Sequence, residues 1–415
     1  MSGFIKMLFT AFAQSITSFL YLLILLMGYA GIKRNVQLEE SWLGSLRNTS
    51  GNRMMDSMLF GMIAGLISST LIILTGIPIH LNTLVILLPF SLFLTLLNKR
   101  YLCLSYAGGI LSLVSLIFGW PDMDVPSLLA LIGILHLTES LLIMLDGQKE
   151  AVPVVMEHKR FKPIGAFAIS KFWPVPLVIL TIPSGMLQAA GGGMQMPDWW
   201  PLFGGRGGGS LMLFPIAVLL EYNDLAVTAR PEHRARKTGL WMGMYSLLIL
   251  TIAVLSVHYG WLMFAGAVLM PLLHEFLLYW SRKGQLDGDP IFGAPWRGLR
   301  ILEVMPDTVG SQMGLRPGDI LLNLNGRGIN SEEMLQEVLR TAPMYLWIDY
   351  KRDGKPETAE YHSYHRDEDS MGILYVPRKT SRFFRTEEQK GPLLQLWKRI
   401  QRMQRQGKDS NHLKV

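Results

Sequence analysis

A single cysteine in 415 residues, Cys103, excludes an intrachain disulfide, and its place inside an apolar run suggests no thiol metal site. Charge is scarce as well. Only 17% of the residues are Asp, Glu, Lys or Arg, against about a quarter in a soluble domain. The shortage is uneven: long charge-free runs fill 7–280, and nearly all the polar sequence follows Ser281. No cleavable leader is expected, because the first apolar run is long enough to span a bilayer. The formal net charge of +7 is of the sign that suits nucleic acid, but in a membrane chain basic residues gather in cytoplasmic loops. Membrane lipid, and not nucleic acid, is therefore the expected surroundings.

A helix needs about 20 apolar residues to cross the hydrocarbon core. Nine segments qualify, at roughly 7–32, 57–77, 81–97, 101–120, 126–145, 172–190, 210–229, 239–257 and 261–280. The third is short and the seventh polar, so eight spans also fit. The fold class expected is an α-helical polytopic membrane bundle followed by a C-terminal α+β domain. Orientation follows from the basic residues. One set of alternate loops holds fifteen Lys and Arg, from Lys33 to Lys237, and the opposite set holds Lys6 and Arg206. The richer side should be cytoplasmic, and with it everything after Ser281. Outside loops are short, apart from 191–209, where Trp199 and Trp200 read as an interfacial anchor.

From Gly298 the apolar period shortens. Residues 298–304 read as a strand, and Gly314 as the left-handed stop of a short helix. Asn325-Gly326 and Asp353-Gly354 read as tight hairpin turns. Asn330 or Ser331 can cap a helix carrying Glu332 and Glu333 in its first turn, with Met334, Leu335, Val338 and Leu339 as its apolar stripe. The hairpin 345–361 closes the sheet. The domains expected are 1–281 in the membrane, 289–376 as the α+β unit and 377–415 as a basic tail. In that tail Leu393, Leu396, Trp397 and Ile400 recur at helical spacing, which suits the inner leaflet, a partner or a plain solvated tail.

The stretch Gly314-Leu315-Arg316-Pro317-Gly318-Asp319-Ile320-Leu321-Leu322-Asn323-Leu324-Asn325-Gly326 resembles the bacterial PDZ family. The resemblance implies a groove between a strand and the capped helix, where a peptide adds as an extra strand. Carried over, its residues are Gly298, Leu299, Ile301, Met334, Leu335 and Val338, although Met334 and Val338 serve equally as core. The usual strand before Gly298 is replaced by Pro290, Gly293 and Pro295, so 371–376 stands as a substitute for that strand or for the carboxylate cradle itself.

Three spans carry ionisable pairs: His136 and Glu139, Glu221 and Asp224, and His274 and Glu275. Such residues are costly in hydrocarbon, which marks them as a candidate polar cluster. A metal or proton site, or plain cross-helix pairing, would each account for them. His274-Glu275 ahead of a PDZ-like domain also resembles the intramembrane zinc proteases, whose motif needs a second His where this chain has Leu278. Proteolysis is therefore not expected, and no catalytic residue, metal or cofactor is assigned. The whole plan resembles the MinJ family of division-site proteins. That resemblance implies a non-enzymatic adaptor at the septum and poles, joining a DivIVA-like scaffold to a MinD-like inhibitor. A membrane enzyme or transporter built on the polar cluster, with a regulatory PDZ-like domain, is the competing reading.

Overall fold

The computed structural model describes residues 2–161, 163–182, 211–341, 344–362 and 371–385. Within them, α1 (Ser2–Ile16) and α2 (Phe19–Leu43) break the expected first span at Thr17-Ser18. The Ser18 hydroxyl accepts from the Tyr21 amide at 3.1 Å and starts α2 afresh. There follow α3 (Ser50–Thr75), β1 (Pro78–His80), α4 (Leu81–Thr95), α5 (Leu104–Phe118) and α6 (Val125–Asp146). After β2 (Val152–Met156), β3 (Ile164–Ile182) and β4 (Met212–Ala226) come α7 (Pro231–Ser256) and α8 (Trp261–Asp287). Among the described residues α2, α3, α6, α7 and α8 are long and apolar enough to cross a membrane; α4 and α5 have 15 residues each.

The segments 172–190 and 210–229 are corrected wherever they are described, being strands and not helical spans. Pro174 and Pro176 would each break a helix interior, and β-branched Val175, Val178 and Ile179 favour a pleated chain. A continuous apolar run reads the same for a buried strand and a buried helix, and hydropathy does not separate them.

The hairpin lies inside the bundle. Trp173, Val175, Leu177 and Ile179 belong to the main core cluster, with residues of α3, α4, α5 and α6, while Val178 and Leu180 pack with Ala11 and Phe12 of α1. β3 pairs with β4 along one edge over fifteen residues, but along its other edge β2 and β1 cover only the two ends. Between them a bare strand edge would strand its amides in hydrocarbon. At three positions such amides are absent or paired. Pro174 and Pro176 have no N–H, and the Val178 amide donates to Ser69 Oγ at 2.9 Å. Gly61 and Gly65 of α3 lie directly on the Pro174 and Pro176 carbonyls, where any Cβ would overlap the oxygen.

At the end of the bundle that carries the basic loops, several of those loop charges are internal. Arg53 is buried against Glu39, and Lys171 reaches Asp146 Oδ2 at 3.1 Å and Glu150 Oε2 at 3.6 Å. Trp173 Nε1 donates to Asp146 Oδ2 at 2.8 Å.

The C-terminal unit comprises β5 (Phe292–Gly293), β6 (Leu299–Val304), α9 (Val309–Gln312), β7 (Ile320–Leu324), β8 (Arg327–Gly328), α10 (Glu332–Thr341), β9 (Tyr345–Arg352), β10 (Lys355–His362) and β11 (Ile373–Val376). Its sheet runs β10-β9-β7-β6-β11 with β8 on β7. Both expected tight turns have positive φ at both central residues, Asn325-Gly326 and Asp353-Gly354. Ser331 caps α10 by accepting from the Met334 amide at 3.3 Å. β5 does not join this sheet. It pairs with β3, and Phe292 lies edge-on to Phe167 at 5.6 Å. The segment after β11 returns to the bundle, where the Phe384 amide donates to the Val155 carbonyl at 2.7 Å and the Arg382 guanidinium covers Trp42 at 4.5 Å. The PDZ-like unit is thus held at both ends. The first residues of the expected tail belong to that contact, and its helical stretch at 393–400 lies outside the described residues.

Candidate functional sites

Two places carry the candidate residues, one in the C-terminal sheet and one inside the bundle. In the sheet, β6 pairs with β7 on one side and antiparallel with β11 on the other. Strand addition along β6 is therefore closed, which corrects the use of Gly298, Leu299 and Ile301 as groove lining. Leu299, Ile301, Leu335 and Val338 are core residues, and Met334 alone of the helix set is exposed. Gly298 has a left-handed φ of 86°, and its amide donates to Asn330 Oδ1 at 3.2 Å. Among the described residues the unpaired edge belongs to β11, the strand that 371–376 supplies.

β11 is held from behind. The Gly372 carbonyl accepts from the Met305 amide at 2.8 Å, and the Met371 carbonyl accepts from the Gly310 amide at 3.0 Å. Burial pushes the Tyr375 phenol above its usual range, and Glu332 pushes it further. Tyr375 of β11 shares a core cluster with Leu335 and Val338 of α10. Strand and helix thus contribute to one core. Only the sheet order reveals the shift from β6 to β11, since both segments are apolar and strand-like.

Inside the bundle, four of the six expected polar residues lie on α6 and α8, and the other two, Glu221 and Asp224, lie on β4. Asp224 lies on β4, where i and i+3 fall on opposite faces, so Glu221 and Asp224 share no helix face. Asp224 binds Arg234, with Nε to Oδ2 and Nη2 to Oδ1 both at 2.8 Å, and accepts from Thr238 at 3.0 Å. Glu221 accepts from the Asn223 amide nitrogen.

Two of the remaining four, His136 and His274, face a residue that the sequence left out. Cys103, between a 3₁₀ turn (Lys99–Leu102) and α5, has its Sγ 3.1 Å from His136 Nε2 of α6 and 3.7 Å from His274 Nε2 of α8. Glu139 Oε2 lies 3.8 Å from His136 Nε2. His136 Nδ1 meets the Ile132 carbonyl at 2.8 Å. On the far side of His274, Nδ1 lies 3.3 Å from the Tyr106 hydroxyl, which donates to Glu275 Oε2 at 2.7 Å; Arg100 holds the other oxygen at 2.9 Å. Ser105 Oγ lies 3.1 Å from His136 Nε2 and 3.0 Å from the Tyr245 hydroxyl. One cysteine by itself carries no spacing signal. Its partners come from helices 33 and 171 residues away.

No protein-family model matches the chain. It is 23% identical over 254 residues to the cell division topological determinant MinJ of Bacillus subtilis, a match that takes in 60% of this chain. The chain spans about three-fifths of that relative's length, 62%. It is 22% identical over 332 residues to the probable cell division topological determinant MinJ of Lacticaseibacillus paracasei, covering 77% of this chain and 85% of that one. The crystal structure of the PDZ domain of an SdrC-like protein from Listeria monocytogenes is similar at 19% identity, covering 20% of this chain and 92% of that domain with a TM-score of 0.18. Along most of its length this chain is similar to the MinJ cell division topological determinants.

Proposed function

We propose that this chain is a membrane-bound adaptor in bacterial division-site selection, with its C-terminus in the cytoplasm and its place of action at septum and poles. On this reading the domains are 1–281 in the membrane and 289–376 as the PDZ-like adaptor, with 377–415 following. A peptide of a cytoplasmic partner adds as a strand along β11, between it and α10. Partners of DivIVA-like scaffold and MinD-like inhibitor type fit that role. One observation supports this reading above the rest: a strand edge left unpaired among the described residues, on a domain joined to a membrane bundle. The similarity to MinJ proteins over 77% of the chain supports the division role.

The test is where a fluorescent fusion goes in growing cells of a Bacillus-like bacterium. Enrichment at septa and poles is expected. Met334→Glu, at an exposed position of α10, should spread the signal over the membrane while the protein level holds. A uniform signal from the unmodified fusion would reject the adaptor reading.

A further inference from the structure

The thiol of Cys103 has an arrangement around it that neither an adaptor nor simple packing requires. A carbonyl only accepts, so the 2.8 Å contact to Ile132 places the His136 proton on Nδ1 and leaves the Nε2 lone pair facing Cys103. The same holds for His274. The Tyr106 hydrogen is committed to Glu275, so the Tyr106 oxygen accepts from His274 Nδ1–H, and Nε2 again faces Cys103. Ser105 does not consume the His136 lone pair. Tyr245 spends its hydrogen on the Met270 carbonyl at 2.9 Å, so its oxygen is open to the Ser105 hydroxyl.

Two imidazole lone pairs therefore converge on one sulfur, with both outer nitrogens tied, as metal-binding histidines are usually held. The three ligand atoms lie within 4.8 Å of one another. Zinc bonds of about 2.0–2.1 Å to nitrogen and 2.3 Å to sulfur put tetrahedral ligands about 3.5 Å apart. The two Cys103 contacts, 3.1 and 3.7 Å, bracket that value.

We propose that Cys103, His136 and His274 form a thiolate–bis-imidazole site for a divalent cation of the zinc class. Glu139, with Oε2 3.8 Å from His136 Nε2, is outside that close set and serves as a fourth, oxygen ligand only by a shift of its side chain. The ion ties the turn before α5 to α6 and α8. The site takes no part in peptide capture at β11, so the adaptor reading and this one stand or fall separately.

The test uses full-length protein in detergent with any affinity tag removed. Metal analysis should find about one zinc per chain, falling at least tenfold in the His136→Ala/His274→Ala double variant. Cobalt titrated into metal-stripped wild type should give tetrahedral visible bands and a thiolate-to-cobalt charge-transfer band, the latter absent in Cys103→Ser. The cobalt titration decides alone if the double variant fails to fold. Wild type that takes up no cobalt, or takes it up without a thiolate band, overturns the site. Stoichiometric zinc that persists in the double variant overturns it as well. Stoichiometric copper or iron in place of zinc overturns the assignment to the zinc class.

Discussion

Asp319 closes the turn into β7 with a single side chain. Its Oδ2 accepts from the Arg316 amide at 2.8 Å, closing the turn into β7, and Arg352 grips both oxygens, Nε at 3.0 Å and Nη2 at 2.7 Å. Arg352 also donates to the Gly314 carbonyl at 2.8 Å, so one buried carboxylate joins the turn to β9. Asp319→Ala should cost the PDZ-like unit about 2 kcal/mol, the scale of losing hydrogen bonds to a charged group. Asp319→Asn, which keeps an acceptor for Arg316, should cost less. Thermal unfolding of the purified full chain reads both, and an Ala variant as stable as the parent removes the carboxylate from the account. The Gly-Asp pair was legible in the sequence. Its partner Arg352 was not, because an arginine 33 positions away in a hairpin strand looks like any exposed charge.

Hydropathy located the elements of the bundle better than it named them. Segments at 172–182 and 212–226 are apolar enough for spans, yet the prolines at 174 and 176 and the β-branched run make strands of the first. The bare edge of β3 is tolerable only because α3 brings glycine, glycine and serine to it in register. Gly65→Val should therefore be among the most damaging single changes in the bundle, costing about 3 kcal/mol or more, since backbone must move. Gly51→Val, near the exposed start of the same helix, is the control. The check is the monodisperse fraction recovered in detergent. Equal recovery for the two variants would mean that α3 does not rest on the strand.

The bundle and the PDZ-like unit are joined by more than a tether. β3 runs from the bundle interior to the pairing with β5, and Gly165 at that end is overlaid by Leu302 and Val376 of the C-terminal unit. A Cβ there would come within 2.7 and 2.9 Å of those side chains. Gly165→Val should lift the unit off its seat without unfolding it, and cleavage between 288 and 298 under limited proteolysis should speed up severalfold. An unchanged rate would show that this face does not hold the unit. Arg47, 3.8 Å from Glu303, joins the same seat from the loop between α2 and α3.

The sequence by itself determined the long apolar helices of the N-terminal part, the strands, turns and capped helix of the C-terminal unit, and the six ionisable residues of the apolar region. Each of these is written in local signals: hydropathy, residue pairs that demand positive φ, and charges out of place. Tertiary structure alone decided that two apolar runs pair as strands, that β11 and not β6 carries the edge left unpaired among the described residues, and that Cys103 faces two imidazoles. The physical reason is common to all three. Strand pairing and side-chain convergence join residues tens to hundreds of positions apart, and neither periodicity nor composition of a single segment records its partner.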